Sequence, residues 1–174
     1  MTTAQEIIQR EGLPALTMRR LGEALHVDAS AMYRHFANKS ALLTALFEEL
    51  FAELESPDPT QTWRTNLRRL MHAWWSIYRD NREIAAKLTK SPKADTGRTL
   101  LKHWVMTELA RAGLPAGSQQ QYGQLVWGHV MGYGLLAATQ ESDQQQVEEA
   151  FTLGAELLLA AIEEGSGHAQ LDRA

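Results

Sequence analysis

Apolar residues recur at intervals of three and four along most of the chain, and no stretch alternates convincingly at period two. The pattern therefore predicts an all-α protein. Ala4–Arg10 reads as a short first helix with Ile7 and Ile8 turned inward, closed by Gly12 and Pro14. Leu16 to Phe36 reads as two helices joined by a tight turn. Thr17 caps the first, in which Leu21, Ala24 and Leu25 share a face; Asp28 caps the second, in which Met32 and Phe36 point inward. Asn38 caps a longer helix reaching about Glu55, with Leu42, Leu43, Leu46, Phe47, Leu50, Phe51 and Leu54 on a broad apolar face. Ser56-Pro57-Asp58-Pro59 is the clearest break. Trp63, Leu67, Leu70, Met71, Trp74, Ile77 and Tyr78 then mark a strongly amphipathic helix whose polar side carries Arg64, Arg68 and Arg69. A short helix over Arg82–Leu88, a polar loop over Thr89–Gly97 and a helix over Arg98–Ala112 follow, the last stopped by Gly113-Leu114-Pro115. Ser118 opens a long helix to about Gln140. Asp143 caps the last one, which is expected to end near Gly165 and leave a frayed tail from Ser166 to Ala174.

The final two helices differ from the others. Tyr122–Ala138 is apolar over more than one face and contains Gly123, Gly128, Gly132 and Gly134; Val147, Phe151, Leu153, Leu157, Leu158 and Ile162 make the next helix similar. A helix apolar around most of its circumference is buried on two sides. In a chain of 174 residues the second side is expected to be another subunit, with a thick internal core as the alternative.

Composition narrows the function. No apolar run approaches the roughly 20 residues needed to cross a bilayer, and Met1–Glu6 lacks the basic start and apolar core of a signal peptide. The absence of cysteine excludes disulfides and thiol catalysis and suits a cytoplasmic protein. None of the six histidines pairs at the i, i+4 spacing of a helical metal site, so no metal or cofactor is expected. There is no phosphate-binding glycine loop, nucleophile elbow or paired-acid motif, so no enzymatic reaction is expected. The chain carries a formal net charge of −4. Met1–Ser40 is nearly balanced, with Arg10, Arg19, Arg20, Arg34 and Lys39 against Glu6, Glu11, Glu23 and Asp28.

The outward side of the two-helix unit carries the chemistry. Ala29 and Ser30 at the helix start, followed by Tyr33, Arg34 and His35, allow close backbone approach and supply several donors. Helix-turn-helix proteins push the start of a second helix into the major groove in this way. The sequence Leu16-Thr17-Met18-Arg19-Arg20-Leu21, then Leu25-x-Val27, Met32-Tyr33-x-His35-Phe36, Asn38-Lys39 and Leu42-Leu43, resembles the DNA-binding domain of the tetracycline-repressor (TetR) family of bacterial transcription regulators. The resemblance is close from about Leu13 to Leu46, and the later helices fit it in order and spacing. One departure is His26, where the family usually has glycine in the turn. A positive φ there would cost about 1 kcal/mol.

The resemblance implies an N-terminal three-helix helix-turn-helix domain at 1–46 and a helical ligand-binding and dimerisation domain at 47–174, linked by the helix at 38–55. It implies that Thr17, Tyr33 and Lys39 hold phosphates, that Arg19 reaches a guanine edge and that His35 belongs to the same face. Ala29, Ser30 and Arg34 sit where the family varies and would tune the operator. It also implies a homodimer through the last two long helices. The fold would bring Trp74, Tyr78, Trp104 and Trp127 around one cavity, to which His103 and Gln124 could add polar contacts. The expected function is a ligand-responsive regulator, a repressor released from a palindromic operator by a small hydrophobic or aromatic effector. The faint basic charge keeps open a helical protein-interaction module without DNA binding.

Overall fold

The computed structural model describes residues 2–88, 96–138 and 143–171. Among these residues the chain forms helices and turns and no strand. The helices are α1 (Thr2–Glu11), α2 (Met18–Ala24), α3 (Ala29–His35), α4 (Lys39–Ala52), α5 (Trp63–Asp80), α6 (Arg82–Leu88), α7 (Thr96–Arg111), α8 (Ala116–Ala138) and α9 (Gln144–Leu171), with a 3-10 turn at Leu13–Ala15 after α1. The all-α expectation holds, and the helices follow the predicted order.

Side-chain caps start several helices. Thr17 Oγ1 accepts from the Arg20 amide at 3.0 Å and Asn38 Oδ1 from the Ala41 amide at 2.9 Å. Asp143 Oδ1 accepts from the Gln145 amide at 3.0 Å. Asp28 occupies the N-cap of α3 without a side-chain capping bond, so only its backbone does the expected work. Leu25 is the other local departure. α2 ends at Ala24, which turns Leu25 off the helical face and leaves it 44% exposed.

The proline-rich break is held by the buried Asn66 and by Arg111. Asn66 Nδ2 donates to the Asp58 carbonyl at 2.8 Å, and Arg111 Nη2 donates to the Gln61 carbonyl at 2.8 Å. Arg111 also pairs with the buried Glu108 at 2.7 Å, satisfying a carboxylate that would be costly to bury alone. From this anchor α5 runs through the larger helical group, packing against α7, α8 and α9. Arg64 and Arg68 do not simply face solvent: both pair with Glu156 of α9, and Arg64 also with Glu163.

Phe151 of α9 is fully buried where α5, α8 and α9 meet. It stacks on Trp75 at 4.7 Å and 12° and on His129 at 4.9 Å and 24°, with the His72 and Tyr133 rings against its edges. Gly154, one turn later, gives the His129 ring its space: a Cβ there would collide with it. α4 packs against α5, α6 and α7, so it touches the larger helical group as well as the N-terminal one.

Boundaries moved where tertiary packing outweighed local signals. α7 and α8 each begin two residues before the predicted start. Thr96 and Gly97, expected in a loop, are helical; the rest of that loop, 89–95, lies outside the described residues, as does the predicted end of α8 at Gln140. The expected frayed tail is corrected more substantially, because α9 continues to Leu171. The Tyr122 hydroxyl donates to the Ala161 carbonyl at 3.0 Å and its ring lies over Gly165, while the buried Ser166 hydroxyl bonds back to Ile162. These contacts hold a helix through a glycine that, on local propensity, reads as an end.

Candidate nucleic-acid interface and ligand cavity

The turn between α2 and α3 is built from an unusual pair. His26 has φ 57°, alone in that region among the described non-glycine residues. The Val27 amide donates back to the Gly22 carbonyl at 2.9 Å. A Cβ on Gly22 would lie 2.8 Å from the Val27 carbonyl oxygen, so a glycine inside α2 lets the turn close onto the helix backbone. The chain thus keeps a left-handed turn residue without a glycine there, with histidine accepting the strain.

This turn sets α3 on the surface. Ser30, Tyr33, Arg34 and His35 are exposed, Tyr33 to 58%, and Ala29 is half-buried. Met32 points into the core. Thr17 is exposed while capping α2. The Arg19 side chain is 85% exposed and its Nε donates to Glu23 at 2.9 Å, a pair on the surface that DNA could readily displace. Arg20 is directed elsewhere: it makes two bonds to Glu11, and its guanidinium holds that carboxyl below the usual carboxylate range. Lys39 Nζ donates to the Leu13 carbonyl at 2.9 Å, so its ammonium also ties α4 to the 3-10 turn. Glu23 and Asp28 share a shallow concavity with Ser30 and Arg34, which explains why the face is not strongly basic.

A second feature lies between α5, α7 and α8: a cavity of about 770 Å³. Of the residues expected to surround a ligand, Trp74, Gln124 and Trp127 line it, with the two indoles edge to face at 4.7 Å. Tyr78, His103 and Trp104 are not in its wall. Tyr78 is buried against Phe47 and Phe51, with its hydroxyl on Met131 Sδ at 3.0 Å. On α7 the residues that reach the cavity are Thr99, Lys102, Val105 and Met106; Val105 is buried while Thr99 and Lys102 stay exposed, and the exposed His103 and half-buried Trp104 lie outside its wall. Gln119 and Gln120 of α8 also line it. The α7 residues of the wall were not legible in the sequence because that helix carries apolar side chains on several faces, so its phase cannot be read from periodicity.

His72 and His129 sit half-buried beside Phe151, and burial pushes both below the ordinary histidine range. His129 Nε2 hydrogen-bonds the Phe151 carbonyl at 2.9 Å. Groups whose folded-state pKa is depressed leave stability intact above the unfolded value of about 6.5 and reduce it as pH falls below that value. Urea midpoints are therefore expected to drop between pH 7 and 5, before carboxylates titrate. His129→Gln should reduce that drop and His129→Gln with His72→Gln should flatten it; a slope equal to wild type in the double variant would remove these histidines as its cause.

No three His, Asp or Glu side chains among the described residues converge as a metal would require. No helix of the described residues is long and apolar enough to cross a membrane.

Residues 1–46 match the family of bacterial regulatory proteins called tetR. Over 173 residues the chain is 30% identical to the class C tetracycline repressor protein of Escherichia coli, spanning 92% of this chain and 75% of that protein. It spans 64%, 54% and 50% of the length of three other curated relatives, about half to two thirds. The crystal structure of TetR-Q116A from Acinetobacter baumannii AYE in complex with minocycline superposes with a TM-score of 0.74 at 26% identity, over 94% of this chain and 93% of that one. BioQ, crystallised with its natural double-stranded DNA operator, shares the fold with a TM-score of 0.70 at 22% identity, over 93% of this chain and 94% of that one.

Proposed function

The chain belongs to the tetracycline-repressor (TetR) family of bacterial transcriptional regulators, and from that premise we propose that it is a homodimeric repressor released from a palindromic operator by a small apolar or aromatic effector. In this reading residues 1–46 form the DNA-binding unit, residues 47–174 the effector and dimerisation unit, and the protein works in the cytoplasm as a regulator and not as an enzyme. The observation that carries it is the exposed side of α3: no described residue of the chain covers Tyr33, Arg34 or His35. The relatives whose structures hold DNA or minocycline make both ligands reasonable for this chain.

Dimerisation uses the apolar surface that α8 and α9 leave open. Leu125, Leu135 and Leu136 of α8 and Leu153 and Leu157 of α9 are each about half exposed or more. A Cβ on Gly128 or Gly132 would meet nothing, so a second chain can approach there closely. Two recognition helices about 34–36 Å apart would match successive major grooves.

The effector acts through two contacts. α4 packs on α6 and α7, and Glu83 of α6 accepts from the Leu13 amide at 3.0 Å, joining the larger helical group to the DNA-binding unit. An effector that prefers the other arrangement of α7 and α8 displaces α4 and changes the spacing of the α3 helices. A hundredfold preference per site supplies about 2.7 kcal/mol.

The test begins by selecting duplexes from a random-sequence pool with the purified protein. Arg19→Ala is then expected to lose about 1–3 kcal/mol of affinity for the selected duplex. An unchanged gel-shift titration would remove Arg19 from the interface. The near-balanced charge of the first 40 residues favours, as a second reading, a protein-interaction module. Failure to enrich any duplex, with no salt-dependent binding, would select that reading.

A further inference from the structure

The adjacent arginines near the start of α2 are used differently. Arg20 spends Nε and a terminal nitrogen on Glu11, at 3.2 and 2.6 Å. Arg19 is held through Nε alone, which donates to Glu23 Oε1 at 2.9 Å, and its terminal nitrogens bond no described residue. Glu23 also lines the shallow concavity that contains Ser30 and Arg34 of α3, so the Arg19–Glu23 pair sits beside the recognition surface. Helix stability does not account for this arrangement. The seven-residue α2 has no acid in its first turn and no base in its last, the reverse of what the helix dipole favours. At i, i+4 spacing the acid is also better placed at the N-terminal position of the pair. Side chains 85% and 54% exposed gain little from pairing in water.

We propose that Glu23 is a positioning residue for base readout: its carboxylate holds Arg19 by Nε and so presents both terminal nitrogens of the guanidinium to the edge of a guanine. This rests on the reading above in taking Arg19 as a base contact. The guanidinium is a rigid planar fork, so a bond at Nε restricts the plane of the remaining donors. Guanine O6 and N7 accept from the two terminal nitrogens, and the bond to Glu23 need not break for them to do so. The same carboxylate opposes phosphates, so it disfavours duplexes in which Arg19 finds no guanine. Glu23 thus acts with opposite sign on specific and on non-specific binding.

Fluorescence anisotropy titrations of the selected duplex and of an unrelated duplex of equal length test this. Both side chains are exposed, and an unchanged circular dichroism spectrum checks that each variant is folded. Glu23→Ala is expected to bind the selected duplex about fivefold more weakly, the low end of losing a base-reading arginine. It should bind the unrelated duplex about two- to threefold more tightly, as a carboxylate facing phosphates is removed. The salt slope on the unrelated duplex should steepen by about one, because Arg19 is then released to a phosphate. Glu23→Gln, whose amide oxygen still accepts from Nε, should recover most of the loss on the selected duplex. In an Arg19→Ala background, Glu23→Ala should weaken the selected duplex no further. Tighter or unchanged binding of both duplexes by Glu23→Ala, or a loss that persists without Arg19, would overturn the positioning role while leaving Arg19 as a contact. Arg19→Ala binding the selected duplex like wild type would overturn both.

Discussion

Replacing Leu153 and Leu157 together by glutamate is expected to turn a dimer into folded monomers and to weaken operator binding with it. The two side chains lie four residues apart on α9, both 63% exposed, so the change places charge in water in the isolated chain and should leave the fold intact. At an apolar interface the same carboxylates would be desolvated without partners, each at a cost of several kcal/mol. The two-fold arrangement doubles that number, because each chain contributes the same patch. The dimer constant is therefore expected to rise by more than about a thousandfold, since every 1.4 kcal/mol is tenfold. Sedimentation equilibrium reads the change directly. Dimers that persist in the double variant would move the interface away from α8 and α9.

Phe151→Ala is expected to have the largest effect on stability, about 3–5 kcal/mol. The side chain is fully buried and contacts rings from α5 and α8: Trp75, His129, His72 and Tyr133. These rings come from opposing helices and cannot all collapse toward the space left behind, which places the cost toward the upper end of that range. Urea unfolding followed by tryptophan fluorescence measures it. A loss near 1 kcal/mol would mean that the helices close the cavity. The variant should also flatten the stability loss below pH 6.5, because a loosened pocket hydrates His129.

The helical class, the order of the helices and the break at Ser56–Pro59 were legible because they rest on local physics. Three- and four-residue spacing, capping side chains and proline act over a few residues, and they are written at the positions where they act. The α3 surface was legible for a related reason. Ser30, Tyr33, Arg34 and His35 are what remains of a short helix once Met32 and Phe36 are directed inward, and a seven-residue element leaves little ambiguity of phase. The positive φ of His26 was only a condition in the sequence; the close approach of the turn to Gly22 decided it.

The cavity was legible only in part. Trp74 and Trp127 line it, but Tyr78 is equally aromatic and lies in the core against Phe47 and Phe51. Composition cannot separate two buried aromatics on one helix. Rotation of α7 decides the remainder, bringing Val105 and Met106 to the cavity, with Lys102 exposed at its edge, and leaving His103 and Trp104 outside its wall. Apolar residues lie on several sides of that helix, so its phase is set by neighbours distant in the chain. The same holds for α9 beyond Gly165, which Tyr122 keeps helical from across the bundle.

By itself, then, the sequence determined the all-helical class, the helix-turn-helix and the residues on its outer face, because each depends on contacts within one or two turns. Only the tertiary structure decided which aromatics enclose space, which arginines meet Glu156 and where the last helix stops. Those outcomes depend on how helices rotate against one another, and that rotation is a property of the packed assembly, set by side chains far apart along the chain.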